Sequence, residues 1–290
     1  MKPLRSLLLH GSLTLAAAVG AWSVSASPSG PRRMADWLVV WPGEPAEVTA
    51  ITYRADGLDV SLTAAKDAFG RYWKLDTRTL QDPTEQVPQA LAASQVEEVH
   101  AISVAGGEEL VQLLSPLRAQ RAIGRLSAEQ QPDFGFDAPA ATLTVQLGGQ
   151  QRVLTFGGKT AGGGDRYGRV EPTGEVYAVS GQVPRMLESA AARLAERQLH
   201  GEDLQRARVL RYSAAGVVRT LQRSGPKEEW RRGEDQRVDV LGNWLNKLQS
   251  TNLGDYLADS PAGLQVLARL EYFADGSPVG FVEFAAYDQG

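Results

Sequence analysis

The sequence predicts an α+β protein built from two related units, each a mostly antiparallel sheet with amphipathic helices packed on it, the second shorter than the first. Three observations carry this. Runs of alternating apolar and polar residues, the period of a half-buried strand, are divided by turns rich in Gly, Asp and Pro. Between some of them lie segments with apolar residues at helical spacing. The order of these pieces then recurs. The most patterned stretch is Ser127–Gly181, a turn-bounded series of strands, and the rest of the chain reads as elements laid around it.

A chain of 290 residues with 43% apolar and 22% charged residues is globular in composition and long enough for one large domain or two ordinary ones. With Lys2 and Arg5 set aside from the 30 basic residues, 28 face 34 acidic ones, a balance of −6 beyond the leader. That balance argues against nucleic acid as a partner, because phosphate must be met by a basic face. There are no cysteines, which excludes disulfides, thiolate nucleophiles and thiolate metal sites.

Residues 1–30 have the layout of a signal peptide or N-terminal membrane anchor. Lys2 and Arg5 precede an apolar run from Leu7 to Trp22, and the small residues Val24-Ser25-Ala26 follow. The run contains His10, Ser12 and Thr14 and falls short of the ~20 apolar residues that span a bilayer. The leading charges predict that the bulk of the chain lies in the periplasm, held to the inner membrane by one N-terminal segment or released on cleavage.

The first unit is assigned to residues 31–201. Trp37 to Trp41 form an apolar patch, and the fold proper is expected to start near Glu47. Val48–Tyr53, Leu58–Leu62 and Arg71–Leu75 read as a three-stranded meander, with Ala55-Asp56-Gly57 as its first turn. Residues 76–106 read as irregular around Pro83 and Pro88, with Val96–Val104 as an extra strand. Leu110, Leu113, Leu114 and Leu117 predict a helix that Pro116 kinks or restarts and that ends near Ile123-Gly124, where Arg118, Arg121 and Arg125 suit the dipole. Leu143–Leu147 and Val153–Phe156 form a hairpin across Gly148-Gly149, and Tyr167–Val170 pairs with Val176–Val179 across Pro172-Thr173-Gly174. Val183, Met186, Leu187, Ala190 and Leu194 then give a second helix one apolar face.

The second, incomplete unit is assigned to residues 202–290. Ala207–Tyr212 mirrors the strand ending at Tyr53, Val217–Leu221 mirrors that ending at Leu62, and Glu229-Trp230-Arg231 mirrors Tyr72-Trp73-Lys74. Val238, Leu241, Leu245 and Leu248 read as a helix. Tyr256–Pro261 parallels Phe134–Pro139, and Leu267–Tyr272 with Val279–Phe284 repeats the central hairpin around Ala274-Asp275-Gly276. Nothing in this unit mirrors Tyr167–Leu199, so the unit is expected either to be truncated or to borrow from the first to complete its sheet, and an open sheet edge there would be a natural pairing site.

This order of meander, helix, Pro turn and hairpin resembles a bacterial family, the domain-of-unknown-function family 4340, over residues 44–290. The pieces that carry the resemblance are Leu117-Arg118-Ala119-Gln120-Arg121, Phe134-Gly135-Phe136-Asp137-Ala138-Pro139, and Phe156-Gly157-Gly158-Lys159-Thr160 ahead of Tyr167. The resemblance implies membrane anchoring and a protein partner in an ABC-type transporter of the gliding-motility class. It implies no catalytic residues.

No residue carries a catalytic, cofactor-binding or metal-ligating assignment. Gly157-Gly158-Lys159-Thr160 is not a phosphate loop, since that loop needs glycine at 153, where Val153 stands in a strand. A mobile hairpin loop is expected there. His10, His100 and His200 are scattered outside any metal-binding spacing. Asp133 with Asp137, and Glu108 with Glu109, are the acid pairs, and Asp137 is expected to bond its own turn. Trp73 and Trp230 are expected in the core, and Arg118 and Arg121 at a helix end. The expectation is a non-catalytic accessory protein of the bacterial envelope. The alternatives are an envelope hydrolase using Asp133 and Asp137 beside Arg118 and Arg121, or a small-ligand module stacking on Trp73 or Trp230.

Overall fold

Val48, Ile51 and Tyr53 point into the core from strand β2 (Val48–Ala55), around which the larger of two sheets is built. The computed structural model describes residues 37–81, 95–199, 206–225, 228–232, 236–237, 243–245, 247–248, 250–254, 256–257 and 261–286. The leader, His10, Pro83, Pro88, His200, Val238, Leu241 and residues 258–260 lie outside them.

The meander forms as the alternation requires: β2 is followed by β3 (Leu58–Lys66), β4 (Arg71–Gln81) and the extra strand β5 (Gln95–Ser103). After the helix α1 (Ala105–Leu114) come β6 (Leu117–Arg125), β7 (Ala141–Leu147), β8 (Gln150–Lys159), β9 (Asp165–Glu171) and β10 (Glu175–Ser180). Two short helices, α2 (Gln182–Glu188) and α3 (Ala190–Arg193), close this part. With β1 (Leu38–Trp41) at one end, the sheet runs β1-β6-β10-β9-β8-β7-β2-β3-β4-β5. Its neighbours from β6 to β5 are all antiparallel. Among the described residues, regular structure therefore begins at Leu38 and not near Glu47.

The stretch Leu117–Arg125 is a correction. It was expected to continue the helix after a kink, and it is a strand. Ser115, ahead of Pro116, takes extended angles (φ −138°, ψ 101°), the conformation that a following proline imposes, so α1 stops at Leu114. Leu117 and Ala119 are then buried while Arg118 and Gln120 are exposed, a period of two. Leu110, Leu114 and Leu117 satisfy either period, and pairing with β10 (Ala119 opposite Val179, Arg121 opposite Ala178) decides between them. Arg118 and Arg121 are accordingly strand residues, with no helix end to cap.

One apolar core backs this sheet. It joins Ile51, Tyr53, Leu62, Trp73, Leu143, Leu154 and Phe156 to Leu110, Val111 and Leu114 of α1 and to Val183, Met186 and Leu187 of α2. Each such aliphatic side chain, fully buried, contributes about 1.5–3 kcal/mol. Two buried indoles fix α1. Trp41 Nε1 donates to the Leu114 carbonyl at 2.8 Å, and Trp73 Nε1 to Glu108 Oε1 at 3.1 Å. Gly107 rests on the Trp73 ring, where a Cβ would lie 2.5 Å from Cδ1. That contact explains a glycine inside a helix, where it is otherwise unfavourable.

The smaller sheet contains β11 (Val209–Ala214), β12 (Val217–Gln222), β13 (Arg231–Arg232), β14 (Gln236–Arg237), β15 (Gln265–Ala274) and β16 (Ser277–Ala286). All are antiparallel, in the order β14-β13-β12-β11-β15-β16. Residues 243–245 and 247–248 are helical and bring Leu245 and Leu248 to a second core with Leu210, Leu221, Trp230, Leu270 and Tyr272. Among the described residues helices are few and most of the structure is antiparallel sheet.

Candidate functional site

The motif pieces explain one another. Pro132–Phe134 is a 3-10 turn ended by Gly135, whose φ of 74° is left-handed. A Cβ on Gly135 would lie 2.6 Å from the Gly158 nitrogen, and one on Gly157 would lie 2.3 Å from the Phe134 carbonyl oxygen. The backbone of Phe134-Gly135 thus lies directly on that of Gly157-Gly158. Phe136 is buried beneath the Arg169 guanidinium, 5.0 Å away, and Phe134 meets Tyr167 edge-on at 4.7 Å. Gly157-Gly158-Lys159 is therefore the end of β8, with its ladder shifted between Phe156 and Lys159, and not a mobile loop. The turn begins only at Thr160. Close backbone approach, and not phosphate binding, accounts for these glycines.

The other candidates stay apart. Asp133 and Asp137 are exposed, as are Arg118 and Arg121, and no ion pair or hydrogen bond joins them among the described residues. Glu108 faces Trp73 and Arg71, whereas Glu109 accepts from Gln182 Nε2 at 3.1 Å. His100 meets Asp76 Oδ1 at 2.6 Å across the partly exposed β4–β5 pair. Among the described residues no group of three or more His, Asp or Glu is placed to hold a metal. Trp73 and Trp230 are 0% and 3% exposed. Each lies beneath a guanidinium, Arg71 at 4.5 Å and Arg223 at 4.4 Å, which leaves neither ring open as a stacking platform.

Three features escape a reading of motifs. Tyr53, inside the first core, donates to Glu188 Oε1 at 3.2 Å, and Arg166 meets the same oxygen at 3.1 Å. Burial, reinforced by the Glu188 charge, raises the Tyr53 phenol well above the usual range. Arg223 is buried beside Ala207, to whose carbonyl its Nε donates at 2.8 Å, and burial lowers its pKa with help from the Arg208 charge. Finally, an open cleft of about 530 Å³ runs between Phe69 and the β15–β16 turn, lined by Arg206, Arg208 and Asp275. No spacing in the sequence signals these contacts; the Tyr53–Glu188 bond and the cleft join elements far apart in the chain, and the Arg223–Ala207 bond closes the foot of the β11–β12 hairpin.

The outer edge of β16 has no neighbour among the described residues. The edge of β5 is used in part, since the Glu196 N–H donates to the Ile102 carbonyl at 2.7 Å. Charged Glu97 and Glu98 guard the rest of it. Residues 108–266, more than half of the chain, match the family described as Domain of unknown function (DUF4340). The chain belongs to that family. The DUF4340 match starts inside α1 and ends inside β15, so it draws on both sheets and takes in both motif pieces from Phe134 to Thr160. It is narrower than the resemblance over 44–290. No curated protein and no solved structure matches the chain. Among the described residues of this DUF4340 member, no helix is long and apolar enough to cross a membrane.

Proposed function

We propose that the protein is a non-catalytic accessory subunit of the bacterial envelope, exported and tethered to the inner membrane by its N-terminal segment. It works by presenting sheet surface to a protein partner. The two sheets are two copies of one design, the second shorter. Six strands around β2 run β8-β7-β2-β3-β4-β5, and six around β11 run β16-β15-β11-β12-β13-β14 with the same hairpins. The observation that carries the reading is β16, a ten-residue edge strand without a described neighbour on its outer side, the geometry used in strand addition. The dispersal of Asp133, Asp137, Arg118 and Arg121 weighs against the hydrolase alternative, and the burial of Trp73 and Trp230 against a stacking module. The partner that the family resemblance implies is an ABC-type transport complex of the gliding-motility class. Crosslinking of native cells followed by fractionation tests this. The chain is expected in the membrane fraction, joined to transporter components. Recovery from crosslinked cells without any membrane partner overturns the proposal.

A further inference from the structure

The two sheets share a register as well as a strand order. Tyr53 lies between Val60 and Leu143, and Tyr212 lies between Arg219 and Leu270. Two residues along, Ala55 meets Leu58 and Ala141, and Ala141 meets Phe156. In the same way Ala214 meets Val217 and Ala268, and Ala268 meets Phe284. Position for position, Tyr53, Leu58, Val60 and Phe156 thus correspond to Tyr212, Val217, Arg219 and Phe284.

On the first sheet this end is covered. Tyr53, Val60 and Phe156 are buried, and α2 supplies Val183, Met186 and Leu187 to the same core. Glu188, at the end of α2, takes the Tyr53 hydroxyl and the Arg166 guanidinium together. On the second sheet the corresponding end is open. Val217 is 48% exposed, Arg219 is exposed, and Tyr212 and Phe284 are half-buried. Trp244, itself exposed, leans on Phe284 with ring centroids 5.6 Å apart and forms a rim. The Tyr212 hydroxyl and the Arg219 guanidinium have no polar partner among the described residues. Tyr212 and Arg219 are cross-strand neighbours, whereas Tyr53 and Arg166 reach one carboxylate from strands three apart, and no carboxylate among the described residues joins Tyr212 to Arg219.

We propose that this end of the second sheet receives an amphipathic helix from a partner protein. The helix carries a Glu or Asp within its apolar stripe, and that carboxylate accepts from Tyr212 and pairs with Arg219. Apolar side chains flanking it cover Val217, Phe284 and Trp244. This rests on the binding role proposed above and names the chemistry of the partner: a helix with one acid in an apolar face, of the kind that packs into a preformed groove. The exposed cation set among apolar neighbours provides the selectivity, since an all-apolar helix leaves the guanidinium unpaired as it is covered.

The test uses the full chain in native cells, with the photocrosslinker p-benzoylphenylalanine at Val217. Val218, on the opposite face of β12, is the control site. The captured peptide is expected to have apolar residues at helical spacing with an acid among them. Arg219→Glu is expected to cut its yield about tenfold or more, as loss of a covered charge pair does. An acid-to-Arg exchange in the partner helix restores it. Tyr212→Phe is the second variant, expected to lower the yield by a smaller factor. Arg219 is exposed and Tyr212 half-buried, and matched melting curves establish that the variants fold. Capture of a second copy of this chain, capture of residues 1–36, or equal yield from Val218 overturns the proposal. A probe at Ala285 on β16 separates it from the wider reading. A partner captured at Ala285 and not at Val217 removes the helix and leaves the binding role, whereas capture at neither removes both.

Discussion

Tyr53 donates its hydroxyl to Glu188 across 3.2 Å, tying the middle of the larger sheet to the helix that covers it. The two residues come from elements at opposite ends of that sheet's sequence. Tyr53 is fully buried, whereas the Glu188 side chain is 38% exposed and stays hydrated. Tyr53→Phe is therefore expected to lower stability by about 1 kcal/mol, the net worth of one hydrogen bond. Glu188→Leu strands a buried hydroxyl and is expected to cost more, about 1–3 kcal/mol. Urea unfolding of the two variants checks the order, and an equal or reversed effect removes the hydrogen bond as the link.

Alkaline pH should destabilise the protein through its buried phenols. Burial pushes Tyr272 up to about 12, with the nearby Arg223 charge opposing the shift. In the unfolded chain the same phenol ionises near 10. Between these values the folded state holds a proton that the unfolded state releases, so stability falls as pH rises from about 10 to about 12. Below pH 10 this group contributes no slope. Denaturation midpoints measured across that window should decline in the parent and decline less in Tyr272→Phe.

Gly107 reverses a general trend. Gly→Ala in a helix interior normally stabilises by roughly 0.5–1 kcal/mol. Here the added methyl enters the Trp73 ring, and Gly107→Ala is expected to destabilise by about 1–3 kcal/mol, the range for overpacking. A thermal melt that rises would show that Trp73 and α1 separate easily.

The Phe134–Gly158 contact predicts a similar contrast within one hairpin. Gly157→Ala drives a Cβ into a backbone carbonyl and should lower the melting temperature clearly. Gly162→Ala, with nothing within 4 Å of the new methyl, should change it little. Equal effects at the two sites would contradict the packing described for the motif.

Much of the fold was legible because strands announce themselves locally. The alternation in Val48–Tyr53, Leu58–Leu62 and Leu143–Leu147 survives as buried and exposed faces, and turn residues fix where each strand ends. Leu117–Arg125 was misread because Leu117, with Leu110 and Leu114, fits a helix, and only β10 settles the matter from residues 175–180. Gly157-Gly158 looked like a loop because a glycine pair reads the same whether it frees a backbone or admits another one. The Tyr53–Glu188–Arg166 cluster had no local signal at all. The open end of the second sheet did leave one: setting Val217–Leu221 beside Leu58–Leu62 puts Arg219 where Val60 stands, a charge at an apolar position. That mismatch is visible in the sequence, but its meaning depends on knowing what lies over Val60.

The antiparallel neighbour of β6 is β10, which follows it by roughly 50 residues in a chain made at about 5–20 residues per second. During synthesis the edge of β6 that faces β10 stays unmatched for seconds, although β1 on its other edge is already made, while the meander around β3 closes at once from adjacent hairpins. Arg118, Gln120, Arg121 and Arg125 sit on that waiting strand. Beyond their place in the finished sheet, they keep an unpaired segment hydrated at the stage when it is most able to pair with the wrong strand.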